Sequence, residues 1–306
     1  MFSVQSSCLA AFGAGHEQQR YKCLQCDHQF VDSIKLDDSR LWHEYTVYKQ
    51  TYTQLAEKYN YSLKTVKRHL DKYKPTNTTK VNTVVSNTPI ILLIDTTYFG
   101  RKFGLMLFRD ALTKVNLLHM YVQYETNALY MQGIEELERM GYVIKGVVCD
   151  GKVALIRRLS AKYPVQMCHY HQAAIVRRYL TKNPKTQAAI ELKQIASLVK
   201  RTDKESLTTL LNDWHNRYKL FLNERTINPK TNRWCYTHKR LRSAYNSLKR
   251  NLPHLFTYQK HKDICIPNTT NSNEGHFSAL KNMHRNHNGL SITNKMKLID
   301  DFLRIG

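Results

Sequence analysis

Two apolar runs that end in a carboxylate constrain this chain more than any other feature. Ile90-Ile-Leu-Leu-Ile-Asp95 and Val143-Ile-Lys-Gly-Val-Val-Cys-Asp150 read as buried strands, because runs this short and this apolar suit a sheet covered on both faces. Each aspartate then marks the point where the backbone leaves the interior. Between them lie two more β-rich runs, Phe103 to Phe108 and Val115 to Val122, close enough together to predict an antiparallel meander. Asn127 to Met140 places Leu129, Ile134, Leu137 and Met140 at helical spacing, and Gly141 supplies the stop. Val153 to Tyr163 reads as a helix and Val165 to Cys168 as a short strand. The order β-β-β-α-β-α-β predicts an α/β fold, a mixed sheet with helices on its faces.

The flanking regions differ in pattern. Pro75 to Thr88 is polar and rich in Thr and Asn, so it reads as a linker. Before it, Thr51-Tyr-Thr-Gln54 is a capping box for a short helix with Leu55, Ala56 and Tyr59 inward. Asn60-Tyr61 makes a turn, and Ser62 caps a second helix. That helix carries Leu63, Val66 and Leu70 inward and Lys64, Lys67, Arg68 and Lys72 outward. With Leu41 to Tyr48 as a supporting helix, this is helix-turn-helix patterning with a basic second helix suited to the major groove; a small bundle with a solvated basic face has the same pattern. Residues 172–260 read as purely helical and very basic, and 266–306 as a loop followed by two helices.

The balance of 47 Lys+Arg against 24 Asp+Glu gives +23 over 306 residues, which points to a polyanionic partner such as nucleic acid. The longest aliphatic run is Ile90 to Ile94, too short to span a bilayer, so no membrane role is expected. The first basic residue is Arg20, so the basic region of a secretory signal is missing. Seven cysteines fit a reducing cytoplasm better than a disulfide scaffold. Cys23-Leu-Gln-Cys26, with His28 beside it, offers two thiolates at knuckle spacing, half of a zinc site. Cys8 and His16 are the other nearby candidates.

Two aspartates on neighbouring strands can converge on a hard divalent cation, and a third carboxylate would complete a two-metal phosphoryl-transfer site. Asn271-Ser-Asn-Glu274 supplies one at the start of a helix, where the capping box gives Glu274 a purely structural alternative. Glu274, Ser278 and Lys281 share a face of that helix.

The segments Ile94-Asp-Thr-Thr97, Val148-Cys-Asp-Gly151, Cys168-His-Tyr-His171 and Asn268-Thr-Thr-Asn-Ser-Asn-Glu-Gly275, in this order and at fitting distances, resemble the Mutator-like bacterial insertion-sequence transposases, in the variant with an N-terminal zinc-binding segment. The resemblance runs from Tyr21 to Leu303. It implies a ribonuclease-H-like fold with an all-helical insertion, preceded by a helix-turn-helix domain. It implies Asp95, Asp150 and Glu274 as the acidic triad of a DDE transposase, holding two Mg2+ (or Mn2+) ions. Cys168 and His171 match the family motif beside the active site; a strand-end Cys with a packed His is the alternative. Members with the zinc segment carry a first CxxC pair upstream, where residues 1–19 here hold only Cys8. A weakly ordered start and substoichiometric zinc are therefore expected.

The expected organisation is a degenerate zinc-binding segment at 1–35, a helix-turn-helix domain at 36–80, a catalytic domain from 89–171 and 266–306, and a helical insertion at 172–265. In the insertion, Thr202-Asp-Lys-Glu205 reads as a capping box and Thr237 as the cap of a later helix. Arg225 to Arg240 mixes Arg233, Lys239 and other basic residues with Trp234 and Tyr236. Such a mixture suits phosphate contact and stacking on unpaired bases, or equally a basic loop packed by one Trp. Lys281 and Arg285 are expected at phosphates near the cut. The expected function is Mg-dependent strand cleavage and transfer at the terminal inverted repeats of an insertion sequence, by a homo-oligomer on double-stranded DNA in the nucleoid. The alternatives are an inactive transposase remnant acting as a DNA-binding repressor, and a structure-selective nuclease.

Overall fold

A computed structural model describes residues 9–15, 18–31, 36–74 and 88–305. Of the expected linker Pro75 to Thr88, residues 75–87 lie outside them, as do Cys8 and His16, while Thr88 already belongs to a strand. The chain divides into two compact units, Met1–Pro75 with Gly289–Leu298, and Thr76–Asn288 with Ile299–Gly306.

The first unit opens with three antiparallel strands, β1 (Leu9–Gly15), β2 (Gln18–Cys23) and β3 (Gln29–Val31), in that order in the sheet. Three helices follow: α1 (Asp38–Thr46), α2 (Tyr52–Tyr59) and α3 (Leu63–Lys72). The caps act as the sequence predicts. Thr51 and Gln54 exchange both bonds of a capping box, at 2.8 and 3.2 Å. Asn60 closes α2 with φ +53°, and Ser62 Oγ accepts from the Thr65 amide at 3.2 Å. Leu41, Trp42, Tyr45, Leu55, Ala56, Val66, Leu70 and Tyr73 form the core. Leu63, expected inward, is 47% exposed, because the packed stripe of α3 begins one turn later at Val66.

The second unit is built on a five-stranded sheet. Its strands are β4 (Thr88–Phe99), β5 (Phe103–Asp110), β6 (Asn116–Val122), β7 (Tyr142–Cys149) and β8 (Val165–Met167), with α4 (Asn127–Arg139) and α5 (Val153–Ser160) as crossovers. The spatial order is β6-β5-β4-β7-β8. The meander β4-β5-β6 is antiparallel, while β4, β7 and β8 run parallel. Side chains alternate along β4. Ile90, Leu92 and Ile94 join the large core with Met106, Phe108, Tyr130 and Ile134. Ile91 and Leu93 join a smaller cluster with Val148 and Ile266 on the other face.

The large core continues into α6 (His169–Leu180), α7 (Gln187–Leu198), α8 (Lys204–Asn223) and, past a hairpin, α9 (Lys239–Leu255), through Val176, Leu192, Trp214, Ala244 and Leu248. The hairpin corrects the expectation of an all-helical insertion: β9 (Arg225–Asn228) and β10 (Arg233–Tyr236) pair antiparallel. Two caps also shift. Asp203, not Thr202, caps α8, accepting from the Ser206 amide at 2.8 Å. Residue 238, not Thr237, precedes α9, with no side-chain cap. After α10 (Thr257–Lys260) come α11 (Asn271–Asn286), which packs against β4, and α12 (Ile292–Ile305).

Candidate active site

Asp95 is not at a strand end, as the sequence suggests. It lies within β4, opposite Leu107 of β5. What ends there is the parallel partner: β7 stops at Cys149 while β4 runs on, paired with β5 alone. Leu93 is paired with Val148, so extending that register by two residues sets Asp95 against Asp150. Adjacent strands lie about 4.8 Å apart, so the two backbones bring the aspartates side by side at the carboxyl end of the parallel strands. By alternation Asp95 falls on the face of Leu93, the face toward Ile266, while Thr96 turns the other way and its Oγ1 meets Tyr130 OH at 2.8 Å. Asp150 follows the end of β7, where its charge acts on both Asp95 and Tyr130.

Glu274 enters from the first turn of α11. Here the capping expectation fails. The helix starts at Asn271, with Thr270 before it and no side-chain cap. The Glu274 amide bonds the Thr270 carbonyl at 3.2 Å, and Thr270 Oγ1 turns to Cys168 Sγ at 3.3 Å. Glu274 Oε1 is buried without a hydrogen-bond partner.

The three carboxyls share one electrostatic environment. Burial pushes Asp95 up to about 6, against the pull of His171 and the Thr96 amide, with Asp150 and Glu274 adding to the rise. Asp150 is also raised by burial, opposed by the Lys152 amide and reinforced by Glu125. Glu274 is raised by burial, opposed by His171 and Lys200. His171 moves the other way. Burial disfavours its charge, but Cys168, Asp95 and Asp150 outweigh that and hold it at about 9. Three raised carboxylates and a raised imidazole describe a site short of positive charge. The donor set is all oxygen on the carboxylate side and includes an unpartnered buried Oε1, which suits a hard divalent cation. Among the described residues, as placed, no three such side chains lie close enough to hold an ion.

Cys168 stands at the start of α6. Its amide bonds the Cys149 carbonyl at 2.9 Å, and its Sγ accepts from the Thr270 amide at 3.3 Å. The thiol is raised by burial but lowered more by His171 and Thr270. The motif thus ties β7, α6 and the loop before Glu274 together. Sequence reading missed several neighbours. Glu125 accepts from Tyr130 OH at 2.7 Å and meets Lys152 Nζ at 2.7 Å. Buried Arg109 donates to the Lys114 and Ser272 carbonyls at 2.6 and 3.1 Å, fixing the first turn of α11. Lys200 is an exposed cation acting on Glu274. None of these stands in a local motif.

The basic candidates fall in three places. On α3, Lys64, Lys67, Arg68 and Lys72 are exposed, with Lys67 Nζ 5.3 Å from the centroid of the Tyr52 ring. In the insertion, Arg233 and Lys239 are exposed. On α11, Arg285 is exposed and Lys281 half-buried. The Cys23 and Cys26 knuckle is formed: the Cys23 amide bonds the His28 carbonyl at 2.9 Å. The Gln25 and Cys26 amides lower the Cys23 thiol. No third zinc ligand joins them among the described residues.

No family model matches the chain, and no curated protein matches it in sequence. Among solved structures it is similar to the Drosophila P element transposase strand transfer complex, at TM-score 0.43 and 11% identity over 89% of this chain and 92% of that one. It also aligns with the simian T-cell lymphotropic virus intasome in complex with the PP2A regulatory subunit B56 gamma. That match has TM-score 0.22 and 11% identity, over 68% of each chain. Similarity at this level says nothing of the chain's chemistry.

Proposed function

We propose that the protein is a DNA transposase that cleaves and transfers strands at the ends of an insertion sequence, with Asp95, Asp150 and Glu274 as its acidic triad. One observation carries the reading. Asp95 and Asp150 each stand two residues past the last pair of the β4–β7 ladder, the Asp150 and Glu274 charges both act on Asp95, and Glu274, on a helix packed against β4, keeps a buried oxygen without a hydrogen-bond partner. The sheet order, with two antiparallel strands on one side of β4 and two parallel strands on the other, supports a ribonuclease-H-like domain.

The three carboxylates would hold Mg2+ or Mn2+. Held there, the metal would supply Lewis-acid activation of a water or 3′-hydroxyl and charge stabilisation at the leaving oxygen. The chain's own residues do the rest. Arg109 holds the first turn of α11, and so Glu274, against the sheet. Cys168 and Thr270 fix the loop before it. His171 supplies positive charge among the carboxylates. Lys200, Lys281 and Arg285 offer phosphate contacts, and α3 offers a basic face for the terminal inverted repeats.

The test is incubation of the purified chain with end-containing duplex and Mg2+. Nicking at the ends, abolished by Asp95→Asn with DNA binding retained, is the expected outcome. Binding without nicking by the unaltered chain would make it the repressor remnant instead. Cutting of branched DNA without element ends would make it a structure-selective nuclease.

A further inference from the structure

The β9–β10 hairpin has no part in the chemistry above, yet its turn is well specified. Asn228 Oδ1 accepts from the Lys230 amide at 2.9 Å, Pro229 presets the bend, and Asn232 takes φ +49° while its amide bonds the Asn228 carbonyl at 2.9 Å. Trp234 pairs with Ile227 and Tyr236 with Arg225, so alternation puts these four side chains on one face. The Arg225 guanidinium lies 4.2 Å from the Trp234 centroid and 5.6 Å from that of Tyr236. Arg242 of α9 lies 3.7 Å from the Tyr236 centroid. This is a ladder of alternating cations and rings.

The ladder does not close a core. Trp234 is 57% exposed and Ile227 68%, so the reading of a loop packed by one Trp fails. What covers an open indole in this setting must present a flat apolar face and carry negative charge. From Arg225 to Lys262 the chain holds no carboxylate at all, while Lys230 and Arg233 stand exposed on the same hairpin. Glu224, just before β9, is tied to His238 at 2.9 Å. A nucleotide combines both demands in one unit, a π-face and a phosphate. A paired base hides its face within the stack, so the nucleotide must be unpaired.

We propose that the β9–β10 hairpin is a stacking platform for an unpaired base of single-stranded DNA, received by Trp234 with Arg225 behind it. This deepens the reading of the protein as one that acts on DNA ends, and rests on it.

The chain has three tryptophans, and Trp42 and Trp214 are 2% and 0% exposed, so solvent-sensitive indole emission reports the hairpin. The full chain is titrated with an oligothymidylate of about 15 nucleotides and with a duplex of equal length. The single strand is expected to quench the emission and the duplex to leave it nearly unchanged. Trp234→Ala should abolish the quench and weaken single-strand binding by about 5- to 150-fold, the range for loss of one stacked base, while leaving duplex binding in place. Trp234→Phe keeps a ring and should keep most of the affinity, which separates stacking from any misfolding of the alanine variant. Single-strand binding without a quench, or at equal strength in Trp234→Ala, overturns the proposal and leaves the end-cleavage reading standing. Failure to bind either DNA overturns both.

Discussion

Asp95 and Glu44 show how burial is resolved in opposite ways at single residues. Asp95 is buried beside two other carboxyls and is pushed up to about 6 from 3.8. A raised carboxyl binds more protons when folded, so its contribution is fully present at low pH and is lost as pH rises from 3.8 through 6. At neutral pH it works against the fold. Asp95→Asn should therefore raise the melting temperature of the metal-free protein, by an amount worth on the order of 2–3 kcal/mol, and should remove stabilisation by added Mg2+. A variant less stable than the parent in EDTA would count against the crowded-carboxylate reading. Glu44 is also raised by burial, but bonds from Lys58 Nζ and Tyr59 OH, both 2.9 Å, and from Arg40 Nε at 3.3 Å leave it lowered below 4.5. Its contribution is present above 4.5 and lost as pH falls below it. Glu44→Gln should cost on the order of 1–2 kcal/mol at neutral pH and flatten the acid limb of the stability profile, read by thermal melts across pH.

Elements carry two further predictions. On α3 the exposed Lys64 and Arg68 are free for phosphate, whereas Lys67 lies near the Tyr52 ring. Replacing Lys64 and Arg68 with Ala should weaken duplex binding and reduce the slope of log K against log salt by about 2, since each contact releases close to one counterion. An unchanged slope would assign duplex binding to another surface. On α4, a Cβ at Gly133 would meet the Phe108 ring at 2.1 Å. Phe108 is fully buried and has nowhere to move. Gly133→Ala would gain about 1 kcal/mol of helix propensity yet should lose on the order of 2–3 kcal/mol in urea melts, because α4 must lift off β5.

At the scale of the molecule, the sheet and the insertion share one core. Residues from β4, β5 and β7 belong to the same buried cluster as Val176, Leu192, Trp214 and Leu248. Trp214 is fully buried, stacks on Tyr245 at 5.3 Å, and donates to the Ala188 carbonyl at 3.0 Å. Trp214→Ala should cost about 3–5 kcal/mol and lower one common transition for the second unit, followed by calorimetry. Two separated transitions would show that the insertion folds independently of the sheet.

Much of this was legible in the residues themselves. The apolar runs of β4 and β7, the capping box at Thr51, the cap at Ser62 and the Leu, Ile and Met spacing of α4 follow from period and local hydrogen bonding, which are properties of neighbours in sequence. So does the suspicion attached to Asp95 and Asp150, since a carboxylate after an apolar run needs a reason; Glu274 stands instead in a polar segment at a helix start, where the family resemblance singles it out. The hairpin was legible too, in Asn228-Pro-Lys-Thr-Asn232, but the helical patterns on either side outweighed a signal five residues long. Other features depend on residues far apart in the chain. That β4 outruns β7, so that Asp95 sits in mid-strand opposite the position of Asp150, is a matter of register. That Glu274 is not spent on a cap depends on Thr270 bonding Cys168, about a hundred positions earlier. That Trp234 is open while Trp214 is buried depends on which neighbours cover each ring. Local sequence sets the conformation a segment prefers. Only the packed chain decides which polar groups, Glu274 Oε1 among them, are left without a hydrogen-bond partner, and which ring, as at Trp234, is left uncovered.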